Sequence, residues 1–443
     1  MSLQKCHYAS QICFLALLLV WCSRTSAAPG LDALIGDQPA GQNIRKLIIA
    51  LEQLQSAPDG DTSGSASGTL KDTLTLLQAS RDPVAVRDAL KQLLPELAAH
   101  QVLKRTRLPG FSSFPRRRLQ SLENTREQPF SRDPGAGSSG YGFSGSGLAG
   151  NGILWLGSDT SFQPSTGIWL QAFSDSSEQN DRNDVNGFDA DSSGLAVGLE
   201  RDISPNTRLG IAFSRTDADV DSNRFGRDKS TSDDYSVYSS TYFGNLSLST
   251  NLSYSDNQTD RVRVVRIQTD AGARTFALQS DIDSQQISAL VSLNWNRNFD
   301  NGFTLSPLVS LSYSKLETDD YLERGAGELS LLVSTDDEEQ IIGALGVSLS
   351  YATQQGNWLV LPELHVALEH DFRTDDTKTF SRFRGTRFGF ESRGYSIEEN
   401  RLRGGISLGF LHFAGFSMQL GIDLERKDDY HYLAGLIGVR YGF

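Results

Sequence analysis

From residue 166 to the C-terminus, apolar and polar side chains alternate with a period of two, the spacing of β-strands that keep one apolar face. Leu246, Leu248, Thr250, Leu252 and Tyr254 interleave with Ser247, Ser249, Asn251 and Ser253. Ile287, Ala289, Val291, Leu293 and Trp295 interleave with Ser288, Ser292 and Asn294, and the pattern returns over 305–313, 343–351, 360–368 and 418–424. The final stretch sets Leu433, Gly435, Ile437, Val439, Tyr441 and the terminal Phe443 on one face, with Gly438, Arg440 and Gly442 on the other.

Twelve strands are predicted, near 167–175, 192–202, 207–217, 232–243, 246–256, 285–298, 303–316, 340–353, 357–371, 399–413, 416–426 and 430–443. Their connections alternate in length. Tight turns fall at 204–206, 244–245, 301–302, 355–356 and 414–415; long loops fall at 176–191, 218–231, 257–284, 317–339 and 372–398, with a shorter one at 427–429. Asn301-Gly302 is a strong hairpin signal. A soluble sandwich would turn its apolar faces inward and carry similar connections at both ends. An even strand count with short turns at one end and long loops at the other predicts an all-β membrane protein, a twelve-stranded antiparallel outer-membrane β-barrel. Polar positions then line the lumen, among them Glu363, His365, Asp423, Glu425 and Arg440. Strand spacing and tilt give a barrel roughly 24 Å across with about 12 Å free inside, the width of one α-helix.

Upstream the period lengthens. Ile44, Leu47, Ile48, Leu51 and Leu54 recur at three and four, as do Leu70, Leu74 and Leu77, and then Val86, Leu90, Leu93, Leu94 and Leu97 behind an Asp82-Pro83 start signal. These predict a small α-helical N-terminal region, residues 28–105, either a self-contained bundle or a partner-docking surface. Residues 106–165 lose periodicity and become rich in Gly, Ser and Arg, a linker and possible lumen plug. Arg116, Arg117 and Arg118 are the plug candidates, cations for the acidic lumen. Residues 1–27, with Lys5, an apolar run over 12–20 and small residues Thr25 and Ala27, are predicted to be a secretory signal peptide. The barrel domain is placed at 166–443.

Charge and cysteine content narrow the chemistry. Cys6, Cys13 and Cys22 all fall in the signal segment, so the mature chain is predicted to hold no disulfide. Without Lys5 and Arg24, 39 basic residues face 54 acidic ones, a net charge of −15 that argues against nucleic acid as a partner. No catalytic, cofactor or metal site is predicted. Gly36-Asp37 is followed by Gln38 where a lipase would need serine, and His365, His370, His412 and His431 lack a phospholipase His-x-Ser-Asn context. Asp217, Asp219 and Asp221 share one face near a rim, and Asp429 lies two residues from His431; solvation of the exterior, or bridging of lipid phosphates through divalent cations, explains them better than water activation. Arg373, Arg382, Arg384, Arg387 and Arg393 gather in one long loop, where they either contact lipopolysaccharide phosphate or simply solvate the loop.

Particular stretches resemble a known family, the autotransporters of type V secretion. They are 167–173 (Gly-Ile-Trp-Leu-Gln-Ala-Phe), 187–191, 194–200 (Gly-Leu-Ala-Val-Gly-Leu-Glu), 208–214 with 217–221, and the terminal Arg440-Tyr441-Gly442-Phe443; residues 89–96 are similar to the helical junction before such barrels. The resemblance spans 82–443. It implies a translocator barrel plugged by a preceding segment, in the outer membrane of a Gram-negative bacterium, with Phe443, Tyr441 and Val439 as an assembly signal. Implied partners are outer-membrane lipid, lipopolysaccharide and the barrel-assembly machinery, with the protein a monomer. Two departures are expected to matter: no long repetitive passenger precedes the junction, and no Asn-Asn pair marks a self-cleavage site, so barrel and N-terminal region should stay joined. A porin-like channel, or a surface adhesin acting through its long loops, is the alternative.

Overall fold

The computed structural model describes residues 31, 41–56, 68–96, 139–144, 153–158, 166–181, 186–222, 226–373, 378–394, 400–412, 414–427 and 430–443. Three helices come first, α1 (Gln42–Gln55), α2 (Gly68–Ala79) and α3 (Pro83–Gln92). Each buries the leucine face that its three-four spacing predicts, although Leu97 lies outside the described residues. Asp82 caps α3 by accepting from the backbone N–H groups of Val84 and Ala85, and Pro83 supplies a first-turn residue with no N–H to satisfy. A hairpin of β1 (Ser139–Ser144) and β2 (Ile153–Ser158) follows. Its second strand lies beside the last two strands of the chain.

The barrel strands are β3 (Thr166–Gln179), β4 (Phe188–Ser204), β5 (Thr207–Ser222), β6 (Gly226–Phe243), β7 (Leu246–Thr269) and β8 (Gly272–Trp295), with a short β9 (Arg297–Asn298). They continue with β10 (Phe303–Thr318), β13 (Glu338–Tyr351), β15 (Trp358–Asp371), β18 (Asn400–His412), β19 (Phe416–Lys427) and β20 (Tyr430–Gly442), a minor β14 (Thr353–Gln355) preceding β15. Each strand pairs antiparallel with its neighbours, and β20 pairs with β3 from Tyr430↔Gln179 to Gly442↔Gly167, closing a twelve-stranded barrel. All twelve strands stand where the alternation places them. Gly244, Gly302, Gly356 and Gly415 take positive φ in the tight turns, the conformation glycine adopts most easily.

The long connections differ from expectation. Most of 257–284 is strand, because β7 and β8 each run 24 residues, against the roughly 9–11 that a tilted strand needs to cross a bilayer. The expected loop at 218–231 shrinks likewise, with β5 reaching Ser222 and β6 starting at Gly226. The loops at 317–339 and 372–398 build a separate four-stranded sheet of β11 (Tyr321–Leu322), β12 (Leu331–Thr335), β16 (Lys378–Phe383) and β17 (Gly389–Arg393), in that spatial order.

The reason is a change of solvent along each strand. In the lower half of β7, Leu252 and Tyr254 point outward and exposed, while Ser247, Ser249, Asn251, Ser253 and Ser255 point inward. Further up, the outward row becomes Asp256, Gln258 and Asp260, and the inward row becomes Val265 and Ile267. The apolar side of the strand reverses where it leaves lipid. Above that level the inward face needs a partner, and the helices supply it: Leu47, Leu51, Leu70, Leu77, Val86 and Leu90 join Val265, Ile267, Leu278 and Ile282, together with Leu331, Val333, Phe383 and Phe390 of the small sheet, in one buried core. Helices, the β7–β8 tip and the small sheet thus form a cap at the long-loop end.

Candidate functional site: a polar lumen and its cap

The seam fixes which end of the barrel each segment occupies. Backbone bonds run both ways between Thr166 and Phe443, at 2.9 and 2.8 Å, so the barrel's first and last residues meet at the short-turn end. Phe443 and Tyr441 project outward, 69% and 51% exposed, with rings stacked 6.2 Å apart; Val439 pairs with Leu170 across the seam.

Just inside that end sits a closed polar network. Arg440 Nε donates to Glu200 Oε1 at 2.6 Å, Arg208 Nη1 donates to the same oxygen at 2.8 Å, and Arg208 Nε reaches Asp202 at 2.8 Å. Tyr238 donates to Glu200 Oε2 at 3.1 Å and accepts from Trp169 Nε1 at 2.7 Å. Two glycines make room for the rings. A methyl carbon on Gly198 would lie 2.2 Å from the Trp169 ring, and one on Gly210 would lie 2.2 Å from Tyr238. Because Gly198 pairs with Trp169 and Gly210 with Tyr238, each ring lies flat across the neighbouring strand.

Higher in the lumen, His365, Gly405 and Asp423 stand in one row across β15, β18 and β19, and the glycine lets His365 Nε2 reach Asp423 Oδ1 at 2.8 Å. Arg403 also approaches Asp423, at 3.6 Å, and Arg401 lies 3.6 Å from Glu369 and 3.8 Å from Glu425. His365, Asp423, Glu425 and Arg440 are thus buried on the inner face, and Glu363 is half-buried there. Asp423 and Glu425 have cationic partners on the barrel wall itself, so these two acids do not need cations from a plug. Arg116, Arg117 and Arg118 lie outside the described residues. Glu200, Asp202, Arg208, Trp169 and Tyr238, and the wall cations Arg401 and Arg403, were not among the sequence candidates. All share the inward phase of their strands, so counting inward charges on every strand would have found the five charged ones, and the inward Trp169 and Tyr238 stand out only as large rings on a polar row.

The cap is held by two buried arginines. Arg261 forms a two-pronged pair with Asp228 at 2.8 and 3.0 Å, and its Nη1 donates to the carbonyl of Glu96 at 2.7 Å and to the Tyr321 hydroxyl at 3.0 Å. Arg263 grips Glu323 in the same way and donates to the carbonyls of Gln92, the last residue of α3, and Leu94, just past it. Cations there satisfy carbonyls that the helix leaves open and complement its dipole. Burial disfavours the Arg261 charge, but Asp228 outweighs it and holds the guanidinium protonated. Burial likewise pushes the Tyr321 phenol up to about 12. Polar anchors complete the docking: Ser80 Oγ and the N–H of Arg81 donate to Asp270, Lys46 pairs with Glu391 at 2.7 Å, and the Asn43 amide exchanges two 2.8 Å bonds with the backbone of Arg393.

The remaining rim candidates separate. Asp217, Asp219 and Asp221 face outward, with Asp217 accepting from Thr231 and the other two near Arg227. His431 is exposed, while Asp429 lies outside the described residues. Arg373 pairs with Glu339 and Arg393 with Glu391, whereas Arg382, Arg384 and Arg387 are exposed.

Comparison with known proteins matches residues 168–423 to the model of the autotransporter β-domain. Outer membrane protein A of Rickettsia rickettsii is 22% identical over 414 residues, covering 91% of this chain and 17% of that protein. Esterase EstA of Pseudomonas aeruginosa is 29% identical over 150 residues, 33% of this chain and 21% of the esterase. The chain spans less than a fifth of the length of the rickettsial relatives it matches. Among solved structures, the translocator domain of the autotransporter NalP from Neisseria meningitidis superposes with a TM-score of 0.50 at 16% identity, covering 62% of this chain and 88% of that one. With a closed twelve-stranded barrel and a family match over more than half its length, the chain belongs to the autotransporter β-domain family, as an outer-membrane translocator barrel of type V secretion.

Proposed function

We propose that this barrel carries its own helical N-terminal region to the cell surface and keeps it there as a docked cap, without catalysis of its own. One observation carries the reading. The helices stand at the long-loop end while Thr166, where the barrel begins, stands at the short-turn end beside Phe443. Short turns of outer-membrane barrels face the periplasm. The chain between Glu96 and Thr166 therefore has to join the two faces of the membrane, and the lumen is the polar route across. Arg261 and Arg263 accept α3 in positions a porin would have no need to build.

Protease shaving tests this on intact cells. Digestion that removes α1–α3 while the barrel remains, without prior permeabilisation, is the expected result. Helices cut only after the outer membrane is opened would place them in the periplasm and end the proposal.

A further inference from the structure

The lipid-facing wall of the barrel carries a cleft of about 540 Å³ across β13, β15, β18 and β19. Leu349, Leu364 and Ile406 form its upper bank, one registered row of outward side chains that are 40%, 58% and 56% exposed. Pro362 and Leu420 belong to the bank nearer the tight turns. Pro362, two residues below Leu364 on β15, is the smallest outward side chain of the lining, and the surface dips there. Proline has no N–H to give a ladder, and the β13–β15 pairing stops one step short of it, at Ser350↔Glu363.

The upper row climbs through the membrane. Counted from the tight turns, Leu305 stands three residues above Gly302, its partner Leu349 six above Gln355, and Leu364, the next in the row, eight above Gly356. At ~3.3 Å per residue and ~40° of tilt, that gain is roughly 13 Å of depth. At the foot of the row, on the other side of Leu305, is Arg297. Trp295 pairs with Leu246, the first residue of β7, so Arg297 lies past the end of that strand, at the periplasmic rim. Arg297 is exposed and lies over the Phe299 ring at 5.6 Å. Phe303 and Tyr351, with ring centroids 4.9 Å apart, line the cleft on the side of the rim, where aromatic residues mark the membrane interface.

A cation at the interface, with an apolar cleft rising beside it, fits an amphiphile with an anionic head and an extended chain. Within lipid no hydrophobic force drives apolar surfaces together, so retention has to come from packing contact and from charge; this site offers both. We propose that the cleft holds one acyl chain of a phospholipid of the periplasmic leaflet, with the lipid's phosphate on Arg297. The site does not depend on where the helices stand, so its failure would leave the surface-cap reading untouched.

Native mass spectrometry of the purified full-length protein in detergent tests this. The probes are phosphatidylglycerol, diacylglycerol and glycerol 3-phosphate, with heat-modifiable migration on gels confirming a folded barrel. Pro362→Phe fills the cleft, Arg297→Gln removes the charge and Arg297→Lys keeps it. Ala172→Phe adds the same ring on the outward face of β3, away from the cleft. Loss of one cation at the interface should weaken phosphatidylglycerol binding about five-fold in Arg297→Gln. Pro362→Phe should weaken it at least as much, while Arg297→Lys and Ala172→Phe keep most of it. Four results would each overturn the proposal: unchanged binding by Pro362→Phe or Arg297→Gln, an equal loss from Ala172→Phe, diacylglycerol held as well as phosphatidylglycerol, or glycerol 3-phosphate held as tightly as the lipid. The last would make a free phosphate the occupant of the cation and leave the cleft without one.

Discussion

At Gly198 a single methyl group decides whether two strands can close over each other. Alanine there would set a carbon 2.2 Å from Trp169, a clash that flattened packing of the ring cannot absorb. We expect Gly198→Ala to cost about 1–3 kcal/mol in urea unfolding of the detergent-refolded barrel, as overpacked sites do. Adding Trp169→Ala should recover part of the loss; no recovery would mean that the ring is not what the glycine accommodates. The charged anchors of the cap act through pH. Hydrogen bonds from Lys46 and Arg393 hold the Glu391 carboxyl at about 2, below its ordinary 4.5, and hydrogen bonds from Ser80 and Arg81 lower Asp270. A folded-state value below the unfolded one stabilises above the unfolded value and is lost as pH falls. Protection factors for hydrogen exchange of α1–α3, referred to the intrinsic rate at each pH, should therefore be high at pH 6 and fall between pH 4.5 and 2. Protection that does not change across that window would mean that these anchors do not hold the cap. The candidate residues of the lumen were legible on three strands, from phase alone. Their partners were not, because pairing depends on register between strands, as when Gly405 sets His365 opposite Asp423.

The strands and helices were legible because each had a single solvent on its apolar side. Every barrel strand met lipid over its lower half, and each helix buried one leucine stripe. The predicted strands end near residue 256 in β7 and begin again at 285 in β8, where outward apolar residues cease. The alternation itself continues, with Val265, Ile267, Leu278 and Ile282 on the opposite parity. Reading apolar parity rather than its presence would have recovered the hairpin and pointed to a second core. The two cores should respond to mutation separately. Leu293→Arg on the lipid face should cost about 2–4 kcal/mol of barrel stability, while Ser292→Arg on the lumen side should cost far less. Ile267→Asp, 1% exposed in the cap, should leave heat-modifiable migration intact and release α1–α3 to fast exchange. A variant in which barrel and cap fail together would contradict the division.

For the molecule as a whole, the lumen is neither an open acidic channel nor an apolar core. Its wall carries paired charges, Glu200 with Arg208 and Arg440 at one end and Glu369, Asp423 and Glu425 with Arg401, Arg403 and His365 farther up. Cation preference of the barrel alone, residues 166–443, should accordingly be modest in planar bilayers. On the proposed route through the lumen, the chain from residue 105 onward should conduct less than the barrel alone; equal conductance would leave the lumen without that occupant. The central claim is that the helices are outside the cell and the tight turns are inside. Gln53 on α1 and Gln355 in a short turn are both exposed, and the three native cysteines all precede residue 23. Labelling intact cells with a membrane-impermeant maleimide tests the claim directly. Gln53→Cys is predicted to label in intact cells and Gln355→Cys only after the outer membrane is permeabilised; protection of Gln53→Cys until permeabilisation would contradict the account.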